Sequence, residues 1–219
     1  MPKLRCQISM SLDGFVAGPN QSEEHPLGEG GEQLHEWVVG LAAWRESHGY
    51  EGGEANASSA VVNEAMENVG AVVMGRNMFS PGRGPWEEHP WNGWWGDDPP
   101  FHTPVFVLTH HPREPQEMQG GTTFYFVTDG IESALEQAKE AAGEKDVSAG
   151  GGASIVQQYL EAGLLDELTI NLVPVLLGDG ARPLDGLGDA DISLECTRVI
   201  KGPRATHLTY RSPQDETNR

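Results

Sequence analysis

The sequence predicts an α/β fold: a mixed, mostly parallel sheet flanked by helices, with a C-terminal antiparallel hairpin. Three observations carry that prediction. Residues 146–180 read as strand, glycine turn, helix and second strand, a βαβ unit. Three further short apolar runs, Ala71–Met74, Val105–Leu108 and Thr123–Val127, have the hydrophobicity of buried strands. Ser193 to Val199 and Ala205 to Tyr210 instead alternate around Gly202-Pro203, the pattern of an antiparallel hairpin.

The βαβ unit organises the rest. Its first strand is Val147–Ala149, its turn Gly150, Gly151 and Gly152, its helix Ala153 to Ala162 and its second strand Leu168 to Val173. Consecutive glycines admit positive φ and let the backbone approach a ligand with no Cβ in the way. The following helix aims unpaired N–H groups and the positive end of its dipole over the turn, which implies an anion, most simply a phosphate. A plain tight connection is the other reading of a glycine triplet, but its place between a strand and an amphipathic helix favours the ligand. Ile155, Val156, Tyr159 and Leu160 share one helix face while Gln157, Gln158 and Glu161 take the other, so the helix can pack on a sheet before Gly163 stops it. Ile155 stands where a third spaced glycine would complete GxGxxG, which disfavours a standard Rossmann domain.

Composition bounds the function. The 219 residues predict one domain over 1–211 and a polar, disordered tail over 212–219. With 14 Lys and Arg against 33 Asp and Glu, the formal charge of −19 argues against a nucleic-acid partner, whose phosphates need clustered cations. No run approaches the length of a membrane span, and MPKLRCQISM lacks a signal peptide's apolar stretch, so the expectation is a soluble, cytoplasmic protein. Cys6 and Cys196 then read as a reduced, buried pair. His89, His102, His110 and His111 show no HExxH, HxH or CxxC spacing, and no metal is expected.

The remaining elements follow in order. Residues 4–10 are a first strand, and Asp13-Gly14 punctuates the turn after it. Asp13 reads either as a turn residue bonding its own backbone or as a general acid or base at the mouth of the sheet. Leu34, Trp37, Val38 and Leu41 recur at helical spacing and predict a helix from Glu32 to Trp44, on which Glu32, His35 and Glu36 are solvated or face a substrate. A second helix is expected over Ser59–Asn68, and Gly75-Arg76-Asn77 turns out of the strand Ala71–Met74 where a cofactor phosphate commonly sits, or as an ordinary turn with a surface Arg. Residues 80–104 are a long loop carrying Trp86, Trp91, Trp94 and Trp95, which either cover a substrate or cofactor ring, cement the loop to the body or form a dimer contact. Thr109, His110 and Arg113 leave the strand Val105–Leu108 and are groups suited to a ribose 2′-phosphate, which favours NADPH over NADH. A helix is expected over Ile131–Ala142.

The ordered set SLDGFVAG, VVMGRNMF, VFVLTHHPR, a strand ending at GGG with a helix behind it, and LTINLVPVLLGDG resembles the dihydrofolate reductase-like superfamily. Within it the chain is similar to the reductase family typified by the C-terminal domain of the riboflavin-biosynthesis deaminase/reductase. The resemblance runs from about Lys3 to Tyr210. It implies an NADPH-dependent reductase of a small heterocyclic or carbonyl substrate, similar to 5-amino-6-(5-phosphoribosylamino)uracil reductase, with a homodimer as the family expectation. By the same resemblance, Gly75, Arg76 and Asn77 match a phosphate-binding turn, and Thr109, His110 and Arg113 the 2′-phosphate turn. Gly150, Gly151, Gly152, Ala153, Ser154 and Ile155 match the pyrophosphate turn, and Val16, Ala17 and Gly18 the loop beside the nicotinamide. Asp13 is the candidate for proton supply or substrate binding.

Departures from the pattern are informative. Dihydrofolate reductases carry a pterin-binding carboxylate on their first helix; here that helix offers Glu32 or Glu36 without a convincing match, and the preceding Pro-Trp step is absent. The deaminase's H-x-E and P-C-x-x-C zinc signatures are also missing, so the expectation is a reductase domain standing alone. Dihydrofolate reduction and a non-catalytic NADPH-binding or dimeric interaction protein are the alternative readings.

Overall fold

The computed structural model describes residues 2–82, 84–88, 90–187 and 192–212. The chain opens with strand β1 (Leu4–Ser11), continues through a 3-10 turn (Gly31–His35) and two short helices, α1 (Glu36–Val39) and α2 (Ala42–Ser47), and reaches α3 (Ala57–Met66). Then come β2 (Val69–Gly75), α4 (Arg76–Phe79), β3 (Pro104–Leu108), β4 (Gln116–Glu117), β5 (Thr123–Val127) and α5 (Ile131–Ala142). The βαβ unit is β6 (Asp146–Ala149), α6 (Ala153–Glu161) and β7 (Glu167–Val173), and the chain closes with β8 (Glu195–Lys201) and β9 (Thr206–Arg211).

Among the described residues the nine strands join one sheet in the order β4-β5-β3-β2-β6-β1-β7-β9-β8. The central pairings β5–β3, β3–β2, β2–β6, β6–β1 and β1–β7 are parallel. At the margins β4–β5, β7–β9 and β9–β8 are antiparallel. The mixed, mostly parallel sheet and its C-terminal hairpin are therefore as the sequence predicts. Helices α5 and α6 cover one face, where Leu4, Val73, Val147, Leu168 and Ile170 pack against Leu135, Ile155 and Tyr159. Because strand side chains alternate, Val72 and Met74 turn to the opposite face and join Phe79, Trp86, Val105, Val107 and Phe124. A separate cluster, Leu34, Trp37, Val38, Leu41, Val62, Val173 and Ala205, packs the segment after β1 onto the β7–β9 side.

Several boundaries differ from the sequence reading. The helix expected over 32–44 is broken, because Leu41 is extended (φ −79°, ψ 138°) and bridges to Glu54, whose N–H donates to Gly40 O at 2.8 Å. Helical spacing of the apolar residues is kept while the backbone breaks between them. α3 starts earlier than expected, at Ala57, because Asn56 caps it: Asn56 Oδ1 accepts from the Ser58 N–H (2.9 Å) and Ser59 Oγ from the Asn56 N–H (3.0 Å). Gly75 ends β2, and Arg76 begins a helical turn directly rather than a loop. Cys6 is buried, which pushes its thiol up to about 12, whereas Cys196 is exposed on β8, so the two are not a buried pair. The tail expected beyond Ser212, like His89, lies outside the described residues.

A buried polar cluster ties α3 to the sheet. His207 Nδ1 lies 2.7 Å from Asn171 Oδ1, and Nε2 lies 2.8 Å from Ser58 Oγ. The amide oxygen only accepts, so Nδ1 carries the proton and Nε2 accepts from the Ser58 hydroxyl. Burial lowers the pKa of His207, and of His35, below the ordinary histidine value. The unfolded chain therefore binds protons that the folded chain refuses, and stability is lost as pH falls below about 6.5. The urea midpoint should be lower at about pH 5.5 than at pH 7.5, with the difference reduced in H207Q; an unchanged wild-type midpoint contradicts this assignment.

Candidate active site

The carboxyl ends of the central parallel strands converge on the glycine turn, the place where ligands bind in open α/β sheets. β6 lies between β2 and β1, so its turn leaves the sheet at the centre. There the Gly150 N–H donates to Val73 O at 2.8 Å and the Gly75 N–H to Gly151 O at 3.2 Å. Gly151 has φ +96°, and the Gly151–Gly152 peptide is cis. A Cβ at Gly75 would stand 2.9 Å from Ile155 Cγ1, so β2 and α6 approach as closely as they do only because residue 75 is glycine. No side chain caps the N-terminus of α6.

Beside the turn stands a group of cations. Arg76, the first residue after β2, places its Cζ 3.2 Å from the centroid of the Trp86 ring, and Arg113 Cζ lies 5.0 Å from the same centroid. Arg76 Nη1 makes a long contact of 3.4 Å to Thr109 Oγ1, Nη2 reaches Gly84 O at 3.3 Å, and the buried Nε has no partner. Burial, and then the neighbouring Arg113 charge, bring the Arg76 guanidinium down to about 10; burial lowers Arg113 as well. Among the described residues no carboxylate pairs with either arginine. Thr109 is buried at the exit of β3, while His110 and Asn77 are exposed and contribute no described contact to the group.

On the other side of β6, Asp13 closes the turn after β1. Its carboxylate accepts from Ser11 Oγ at 2.6 Å, from the Gly178 N–H at 2.7 Å and from the Leu177 N–H at 3.2 Å. These bonds, Ser11 first, hold it at about 2, well below the ordinary carboxylate value. So held, Asp13 fastens the β1 turn to the segment after β7 rather than bonding only its own turn. Val16 and Ala17 are buried and exchange backbone hydrogen bonds with Ala181 (Val16 N–H to Ala181 O 2.8 Å, Ala181 N–H to Ala17 O 3.0 Å). Gly18 packs against Glu29, whose carbonyl a Cβ would meet at 2.1 Å.

The structure thus brings Gly75, Arg76, Thr109, Arg113 and Gly150–Ile155 to one edge, with Val16–Gly18 after the neighbouring strand β1. Sequence reasoning missed Trp86 as the partner of both arginines, and Leu177 and Gly178 as the partners of Asp13. Trp86 itself cements the loop to the body: its Nε1–H donates to His111 O at 2.8 Å and its ring packs on Phe79 and Phe126. A cavity of about 710 Å³ lies elsewhere, under α3, but its arginines are already matched: Arg5 with Asp146, Arg198 with Glu64 and Arg211 with Glu167. Among the described residues no three His, Cys, Asp or Glu side chains gather as a metal site, and no helix is long and apolar enough to cross a membrane.

The architecture is that of the dihydrofolate reductase-like folds. Dihydrofolate reductase from Enterococcus faecalis, complexed with NADP(H), superposes with TM-score 0.51 at 13% identity, covering 96% of each chain. A candidate riboflavin biosynthesis protein from Shewanella sp. PV-4 superposes with TM-score 0.59 at 24% identity over 97% of this chain and 99% of that one. The Thermotoga maritima diaminohydroxyphosphoribosylaminopyrimidine deaminase/5-amino-6-(5-phosphoribosylamino)uracil reductase gives TM-score 0.56 at 14% identity, with 96% of this chain covering 56% of that one. In sequence, the protein YyaP of Bacillus subtilis (strain 168) is 37% identical over 59 residues, a match spanning 27% of this chain and 30% of YyaP. The profile of the RibD C-terminal domain matches residues 2–208, and the chain belongs to that family.

The close packing at the turn makes a direct prediction. G75A drives a methyl group into Ile155 and should destabilise the fold by about 1–3 kcal/mol, measured by urea unfolding. In an I155A background, which removes the Cγ1 that the new methyl would meet, the same G75A substitution should cost less than in wild type; no loss in G75A alone would show that β2 and α6 are not in close contact.

Proposed function

We propose that this protein is an NADPH-dependent reductase that delivers hydride to a small heterocyclic or carbonyl substrate, in the manner of 5-amino-6-(5-phosphoribosylamino)uracil reductase. The observation that carries the reading is the pair of partly buried arginines without a carboxylate partner among the described residues, set beside the glycine turn in a chain of formal charge −19. Part-buried cations are ordinarily matched by anions, and a cofactor phosphate is the anion this edge fits. NADPH, when bound, supplies the hydride and the electrophile-facing ring.

The residues present fit that cofactor. Gly151 and Gly152 with the uncapped start of α6 offer backbone N–H groups to a pyrophosphate, while Gly150, its own N–H held by Val73 O, lets the turn approach without a side chain. Arg76, Thr109 and Arg113 offer a guanidinium pair and a hydroxyl to a 2′-phosphate. The chain at Val16, Ala17 and Gly18 is pinned on both sides and forms a rigid wall for a planar ring. Asp13 contributes by fastening that wall, not by donating a proton.

Dihydrofolate as substrate is disfavoured by the segment after β1. Glu32 and Glu36 are exposed, and the side chain that faces the sheet is Trp37, whose Nε1–H donates to Ser9 Oγ at 3.0 Å. A pterin would find an indole, already hydrogen-bonded, where it needs a carboxylate.

NADPH consumption with 5-amino-6-(5-phosphoribosylamino)uracil, and separately with dihydrofolate, tests the proposal. Turnover of the uracil alone is expected. Turnover of dihydrofolate blocked by an antifolate would replace the reading with dihydrofolate reductase, and NADPH binding without any turnover would make this a binding protein. In the active assay D13N should keep every limb of the pH–rate profile between roughly pH 5 and 9 while lowering the rate; a lost limb would restore Asp13 as the proton donor.

A further inference from the structure

The reading above leaves a physical problem. Two guanidinium groups sit close enough for Arg113 to disfavour the charge on Arg76, both are partly desolvated, and no described carboxylate relieves them. Trp86 is the group on which both converge, at 3.2 and 5.0 Å from its ring centroid. The negative face of an indole attracts a cation without accepting from its N–H edge. A carboxylate in the same place would occupy the guanidinium fork and leave nothing for a ligand.

The ring is held in place from three sides. Its Nε1–H donates to His111 O at 2.8 Å, Phe79 stands edge-on at 5.8 Å and Phe126 edge-on at 5.0 Å. Trp86 is 8% exposed, so its face is not free to turn toward water. Arg113 is fixed in turn by the loop, donating to Trp91 O and, at 3.0 Å, to Asn92 Oδ1. Arg76 is the less satisfied of the two, with contacts of 3.3 and 3.4 Å and an Nε without a partner.

We infer that Trp86 is the positioning residue of a phosphate-monoester subsite: its ring holds Arg76 and Arg113 together as one dianion receptor and so sets the preference for NADPH over NADH. The inference rests on the NADPH reading. It assigns Trp86 a role in specificity that is separable from its role in packing the loop. A residue that only packs would, when replaced, lower stability and weaken both dinucleotides alike. A residue that assembles the receptor, when replaced, weakens only ligands that carry the extra phosphate.

Calorimetric titration of wild type, W86L and W86F with 2′-AMP, NADPH and NADH separates the possibilities. In W86L the NADPH-to-NADH affinity ratio should fall about tenfold or more, with NADH unchanged and 2′-AMP binding weakened in parallel, because charge-assisted contacts to the phosphate are lost. W86F keeps an aromatic face and should keep most of the ratio. Circular dichroism checks the fold, and if W86L does not fold, W86M is read in its place. An unaltered ratio in W86L or W86M overturns the inference. Wild-type binding of 2′-AMP without either dinucleotide overturns the cofactor reading alone, and the 2′-AMP arm then decides on Trp86. Wild-type binding of neither 2′-AMP nor NADPH overturns both.

Discussion

Two short backbone contacts, Gly150 N–H to Val73 O and Gly75 N–H to Gly151 O, hold the end of β2 against the turn that follows β6. The close approach at Gly75 is possible because that residue has no side chain: a Cβ there would enter Ile155 of α6. Everything at the proposed site takes its place from this junction. Arg76 starts a helical turn immediately after Gly75, so its guanidinium is delivered to the same edge as the glycine turn, and parallel pairing of β3 with β2 brings Thr109 and then Arg113 alongside. On the other flank, parallel pairing of β1 with β6 places the Asp13 turn and the Val16–Gly18 segment.

Electrostatics make the same edge unusual for this chain. A formal charge of −19 disfavours an anionic ligand at long range, but charges are screened over about 8 Å at physiological salt, so the local cations decide. Most arginines elsewhere are committed: Arg5, Arg182, Arg198 and Arg211 to carboxylates and Arg45 to backbone carbonyls. Arg76 and Arg113 are set against an aromatic ring instead, which lets them stay charged without being neutralised. Membership of the RibD C-terminal domain family supports a reductase-like role for the chain.

Much of the fold was legible because parallel strands buried on both faces are written as apolar runs, as at Val105–Leu108, and because glycines between a strand and an amphipathic helix mark a βα turn. What failed to show was set by distant contacts. Leu41 keeps helical spacing but pairs with Glu54, which breaks the helix. The two-residue β4 carries no periodicity and exists only because β5 offers it an edge. Within the site, the glycine turn and Arg76 could be read from local pattern, whereas the backbone partners of Asp13, Leu177 and Gly178, lie 164 and 165 residues away and were invisible. Trp86 was seen as an aromatic in a long loop, but composition cannot say that both arginines would lie over its ring. The Ser58–His207–Asn171 cluster likewise joins a helix cap and two strands that nothing in the sequence connects.

The central claim is that the glycine turn and the arginine pair together hold a phosphorylated dinucleotide. Titrating the protein with NADPH and with NADH while following energy transfer from its tryptophans to the nicotinamide, at low and at high salt, tests it most directly. The account predicts saturable binding of NADPH, clearly tighter than NADH, with a preference that shrinks as salt rises. Equal binding of the two nucleotides at all salt concentrations, or none of either, would contradict it.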